Sequence, residues 1–145
     1  MAQTKKRYWL GVVSKQHVMR GVKGGFAQVC HGKEAPLLKM SEGDGFVYYS
    51  PRMEMGGTEF CKCFTAIGTI KSDNVYQVEM APGFHPFRID IDYLPSKELP
   101  LDDVFDQLEL TAKKSWGMQL RRGLVEISEA DFRVIEKAMI TAKRS

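Results

Sequence analysis

Apolar and polar positions divide the chain into short extended runs and a few amphipathic ones. Residues 8–14 join aromatic and β-branched side chains and predict a buried strand with a polar stop. Residues 15–22 suit a short helix or turn ending at Gly21, and Gly24-Gly25 forces a bend. Phe26 to Cys30 fits a short strand or an irregular loop, and Glu34 to Met40 one or two helical turns. A tight turn at Glu42-Gly43-Asp44-Gly45 leads into the strand Phe46-Val47-Tyr48-Tyr49-Ser50, which Pro51-Arg52 closes. Neighbouring Tyr48 and Tyr49 must face opposite sides of that strand. After a loop over 53–58, segments 60–71, 75–80 and 86–93 predict a β-meander, with Ser72-Asp73-Asn74 as its first hairpin turn. Pro82 and Pro86 exclude residues 81–86 from a central strand.

Residues 101–108 predict a short helix, and 116–122 a strand or extended segment. The last element is a helix. Ser128 stands three residues before Asp131 as a capping-box variant, and Phe132, Ile135, Met139 and Ala142 recur on one face. Lys137, Lys143 and Arg144 suit the negative end of its dipole. The sum is an α+β protein: a mostly antiparallel, curled sheet or barrel with several short helices around it and a C-terminal helix across one side.

Composition narrows this picture modestly. At 145 residues the expectation is a single domain over 1–145, with residues 1–7 a flexible basic segment. A hydrophobic content of 43% supplies a core without disulfide or metal staples. The net charge of +3 permits nucleic-acid binding without announcing it, because phosphate affinity follows local Lys and Arg placement. No apolar run reaches the length of a membrane span or a signal-peptide core, so the expected compartment is the cytoplasm, with the three cysteines as free thiols.

Catalytic and metal motifs fall away in turn. Gly32-Lys33 lacks the phosphate-loop pattern: Ala27 stands where its first Gly belongs, and Glu34 where Ser or Thr is required. Cys61 and Cys63, with Cys30 and His31 upstream, have ligand chemistry but only one intervening residue, so packing is the expected role of the pair. Cys30 and His31 are adjacent and diverge in an extended segment, which rules against a nucleophilic dyad there. Asp90 and Asp92 share a strand face as solvated carboxylates. No catalytic residue, metal site or cofactor is expected. What remains is aromatic side chains near strand ends, interleaved with Arg and Lys: base-stacking faces beside phosphate-binding groups.

Four segments in order, Tyr8-Trp9-Leu10, Gly43 through Arg52, Pro82 through Arg88, and Trp116 through Leu124, resemble the EVE domain family, and Glu126 through Phe132 fits its closing helix. The resemblance runs from about residue 8 to 140. It implies a PUA-like β-barrel related to YTH and ASCH domains, whose members hold modified bases in an aromatic-lined cleft; many bacterial members have no established partner. The implied role is a nucleic-acid reader, with DNA or RNA carrying a methylated or hydroxymethylated base as partner. Carried over by position, the implied base pocket comprises Trp9, Phe26, Gln28, His31, Tyr49, Ser50, Trp116 and Gly117. Arg52, Arg88, Arg121 and Arg122 would hold phosphates. The chain departs from the commoner pattern at Val13-Ser14-Lys15-Gln16, where a lysine-serine-glutamate-proline run is usual, and at Phe26 through His31. Two rival readings are a nucleotide-processing enzyme using His31 with Asp90 or Glu79, and a protein-interaction module without a deep pocket.

Overall fold

The computed structural model describes residues 6–141. Residues 1–5 of the expected flexible segment, and Ala142, Lys143 and Arg144 of the expected last helical turn, lie outside them. The strands are β1 (Tyr8–Val12), β2 (Phe26–Ala27), β3 (Gly45–Arg52), β4 (Phe60–Ile70), β5 (Tyr76–Gln77), β6 (Phe87–Tyr93), β7 (Leu99–Pro100) and β8 (Leu124–Ile127). The helices are α1 (Lys15–Gly24), α2 (Glu34–Leu37), α3 (Glu109–Ala112), α4 (Trp116–Leu120) and α5 (Glu129–Thr141).

One curled sheet runs β2-β6-β4-β3-β1-β8, with β5 beside β6 and β7 beside β4. It is mixed rather than wholly antiparallel: β1 lies parallel to β3, with Tyr8 opposite Gly45 and Val12 opposite Tyr49. A parallel neighbour requires a crossover, and α1, β2 and α2 supply it. β3 is buried on both faces. Phe46 and Tyr48 enter an inner core with Trp9, Ile70, Ile89 and Ile91, while Val47 and Tyr49 enter an outer core with Leu10, Phe64, Phe132 and Ile135. Each tyrosine of the Tyr48-Tyr49 pair thus anchors a different core.

Several expectations change. Ser72-Asp73-Asn74 is not a hairpin turn: β4 and β5 both run antiparallel to β6, so the chain makes an excursion there and resumes the same direction. The turn that reverses it lies at 81–84, where the Phe84 N–H donates to the Ala81 carbonyl at 2.8 Å. Gly21 does not end α1 but sits within it, because a Cβ there would meet the Phe26 carbonyl at 2.6 Å. The helix stops at Gly25, whose φ of 76° suits a glycine cap. Residues 101–107 form two 3-10 turns rather than a continuous helix. Residues 116–120 are helical rather than extended, because Trp116 and Leu120, four apart, both pack on the outer core, and so short a run has no readable period. β8 follows, pairing antiparallel with β1.

Asp131 also departs from its expected partner. Ser128 Oγ accepts from the Asp131 N–H at 3.1 Å, as a cap should. The buried Asp131 carboxylate, however, accepts from the Glu109 and Leu110 N–H groups at 2.7 and 2.9 Å. It therefore caps α3, which has no side-chain cap of its own.

Candidate nucleic-acid interface

The implied pocket residues divide between the two faces of the sheet. On the outer face, Tyr49 and Trp116 line a crevice with Leu10, Phe64, Leu110 and Thr111, about 190 Å³ including its open side and too narrow for a water. Trp116 meets Phe105 edge to face at 5.4 Å. Burial pushes the Tyr49 phenol up to about 12. Tyr49, Trp116 and Thr111 carry polar atoms, but the surface this wall exposes is apolar, and the Thr111 hydroxyl already donates to the Phe105 carbonyl at 2.5 Å. An apolar, dry wall offers nothing to the polar edge of a base. Gly117 lies on the exposed side of α4, with open space where a Cβ would project.

On the inner face the polar candidates gather where β1 ends. Gln28 is 2% exposed and firmly held. Its N–H donates to the Tyr48 hydroxyl at 3.0 Å, and its carbonyl accepts from that hydroxyl at 3.1 Å and meets His17 Nε2 at 3.0 Å. Burial holds the His17 imidazole below its ordinary range, so its neutral form is favoured. Arg88 Nε donates to Gln28 Oε1 at 3.0 Å while its guanidinium lies 3.8 Å from the centre of the Phe26 ring. Ser50, two residues beyond Tyr48 and fully buried, shares a 2.8 Å hydrogen bond with Thr65. Thr65 can turn toward it because the β3–β4 register slips between Tyr48 and Tyr49.

The next turn of chain is strained. Cys30 and His31 both adopt left-handed backbone angles, φ 52° and 60°, which are uncommon outside glycine. Cys30 Sγ donates to the Arg122 carbonyl at 3.2 Å, and Gly32 packs against Pro86. At Gly123, φ is +83° and a Cβ would come within 2.7 Å of Cys30 Sγ. The Val12 N–H reaches the Gly123 carbonyl at 2.9 Å, and the Val13 N–H the Tyr49 carbonyl at 3.2 Å. Hence the end of β1, the strained turn, the Tyr49–Ser50 stretch and the 121–123 turn form one rim, with His31, Arg121 and Arg122 exposed along it.

Trp9 lies apart from this rim. It is 3% exposed, its indole N–H donates to Asp44 Oδ2 at 2.9 Å, and Arg7 stacks over it at 4.6 Å. Arg7, assigned by sequence to the flexible segment, is further held by Glu126 at 2.8 Å. Arg52 donates to the Gly57 carbonyl at 3.0 Å, and Arg52 and Lys62 both lie over the exposed Phe60 ring, at 4.8 and 4.6 Å. This cation–aromatic cluster had no distinguishing sign in the sequence, since Phe60 and Lys62 belong to an ordinary-looking strand. Of the carboxylates named beside His31, Asp90 accepts from Tyr76 OH at 2.6 Å and Glu79 faces His85 at 3.8 Å. Among the described residues no helix is long and apolar enough to cross a membrane.

Known proteins share both the sequence pattern and the fold. The chain is 51% identical over 133 residues to the UPF0310 protein YdcG of Bacillus subtilis, covering 91% of each chain. It is 46% identical over 134 residues to a UPF0310 protein of Streptococcus sanguinis, covering 92% and 93%. Among solved structures, it is similar to a hypothetical protein from Leishmania major, with a TM-score of 0.63 at 13% identity over 97% of this chain and 98% of that one. It is also similar to the YTH domain of the Zygosaccharomyces rouxii MRB1 protein in complex with N6-methyladenosine RNA, with a TM-score of 0.62 at 11% identity over 97% and 90%. The EVE domain family model matches residues 7–138, and with relatives this close along nearly its whole length the chain belongs to the EVE domain family.

Proposed function

We propose that this protein reads a modified base of a nucleic acid at the rim where β1 ends. The observation that carries the reading is the Cys30–His31 turn. Two consecutive non-glycine residues in left-handed geometry cost of order 1–3 kcal/mol each, and such strain concentrates at binding sites. The fold adds the ligand class, since a YTH domain of similar architecture was solved with N6-methyladenosine RNA.

In this reading the base stacks beside Phe26 and Arg88 and the exposed His31 meets its edge, while buried Gln28 holds Arg88 in place and buried Ser50 ties β3 to Thr65 behind the rim. Arg52, Arg121 and Arg122 hold the flanking phosphates. Trp116 and Tyr49 form the wall behind the rim and keep the 121–123 turn in place. Stacking contributes roughly 1–3 kcal/mol per aromatic face. A buried methyl adds only about 0.8 kcal/mol, near fourfold in affinity, so stronger discrimination must come from hydrogen bonds to the base edge.

The test is fluorescence polarisation with short single- and double-stranded oligonucleotides, unmodified or carrying methylated adenine, methylated cytosine or hydroxymethylated cytosine, at two salt concentrations. One modification should bind more tightly. His31→Asn, which tolerates the left-handed backbone, should reduce that preference, and Trp116→Ala should weaken binding beyond its effect on stability. Equal affinity for every oligonucleotide, falling steeply with salt, would leave only an electrostatic surface and end the proposal.

A further inference from the structure

A group outside the rim has chemistry of its own. Cys61 and Cys63 do share one side of β4, but that end of the strand is not core: both thiols are half-buried and Glu98 stands beside them. The two sulfurs and a Glu98 carboxylate oxygen all lie within 4.8 Å of one another. We propose that these three side chains form a binding site for a thiophilic divalent cation, Zn²⁺ by ligand chemistry, with water as a fourth ligand.

The spacing that argued against a metal is answered by the backbone. Opposite Cys61 and Lys62 stands Pro51, which has no N–H to pair across the ladder, and the β3–β4 register slips between Ser50 and Arg52. Lys62 takes φ 53°, a left-handed kink within the strand. That kink provides the turn that a longer spacer supplies in ordinary two-cysteine zinc motifs. Glu98 is delivered by β7, whose Leu99 pairs with Phe64 immediately after Cys63.

Distances and charge fit as well. Tetrahedral zinc with Zn–S bonds of about 2.3 Å places two sulfurs about 3.7 Å apart, a contraction of roughly 1 Å from the observed upper bound. Two thiolates, one carboxylate and a divalent cation sum to minus one. Lys15, the first residue of α1, forms an ion pair with Glu98 and supplies the balancing positive charge. Cation uptake replaces two S–H bonds by two metal–sulfur bonds and releases two protons, with no change of oxidation state.

This site stands independently of base reading. The experiment is Co²⁺ titration of the reduced full-length protein, followed by Zn²⁺ competition with a chromophoric chelator and by thermal unfolding. One equivalent of Co²⁺ should bind with sulfur-to-metal charge-transfer absorption in the near ultraviolet, and Zn²⁺ should displace it and raise Tm. Cys61→Ser and Cys63→Ser should each weaken binding about a hundredfold and abolish the two-thiolate spectrum. Glu98→Gln should weaken binding about tenfold while keeping that spectrum, and Cys30→Ser should leave the Co²⁺ affinity and the charge-transfer bands as they are. No stoichiometric uptake by the wild-type protein, or charge-transfer bands that survive both β4 cysteine substitutions, would overturn the proposal. Because the wild-type spectrum reports thiolate ligation directly, and Glu98→Gln leaves both sulfurs intact, misfolding of a serine variant would not obscure the answer.

Discussion

Replacing Asp131 by alanine should loosen a part of the molecule 21 residues earlier in the chain. The Asp131 carboxylate accepts two hydrogen bonds, at 2.7 and 2.9 Å, from the first two N–H groups of α3. Hydrogen bonds to a charged acceptor contribute about 1.5–3 kcal/mol each, and a buried N–H left without a partner loses that in full. Glu109 N–H is only partly buried and can recruit water, whereas Leu110 N–H cannot. The expected loss for Asp131→Ala is therefore about 3 kcal/mol, or a fall in Tm of roughly 6–12 °C at 2–4 °C per kcal/mol. Asp131→Asn keeps one acceptor oxygen and should lose about half as much. Ser128→Ala, which removes only the cap of α5, should lose about 1 kcal/mol. Urea unfolding followed by circular dichroism gives the three values. Tryptophan emission in a Trp9→Phe background isolates Trp116, which should shift to the red in Asp131→Ala before global unfolding. If Asp131→Ala lies within about 1 kcal/mol of wild type, or no more destabilised than Ser128→Ala, the capping of α3 by α5 contributes little and the reasoning fails.

Two further predictions follow from close packing and titration. Gly68→Ala should abolish stable folding or lower stability by more than about 3 kcal/mol, because the new Cβ would meet the Asp92 carbonyl at 2.2 Å across the β4–β6 ladder; a soluble variant with wild-type urea midpoint would contradict this. Stability should fall as pH drops below the ordinary histidine range, since burial depresses the His17 pKa in the folded state and the unfolded chain binds the proton first. Denaturation midpoints at pH 7.5 and 5.5 measure the slope, which should shrink in His17→Asn; an unchanged slope in that variant would assign the pH dependence to other groups.

The predicted strands at 8–14 and 46–50, the final helix and the split of Tyr48 from Tyr49 were legible in the sequence. Each rests on a local period or cap, which a run of residues carries by itself. The α+β curled sheet followed from adding these elements, and the family followed from four segments in order. Partners distant in sequence were not legible. The parallel pairing of β1 with β3, the continuation of β4 into β5 along β6, and the helical state of 116–120 each depend on which surface a short segment meets. Asp131 illustrates the limit: its spacing from Ser128 marks a helix start, yet its carboxylate serves a different helix. Cys61 and Cys63 illustrate it again, since only the bulge opposite Pro51 and the approach of Glu98 bring three ligand atoms together. The candidate rim is likewise tertiary. Residues near 13, 30, 50 and 123 converge because a curled sheet brings its strand ends together, and no local pattern encodes that closure.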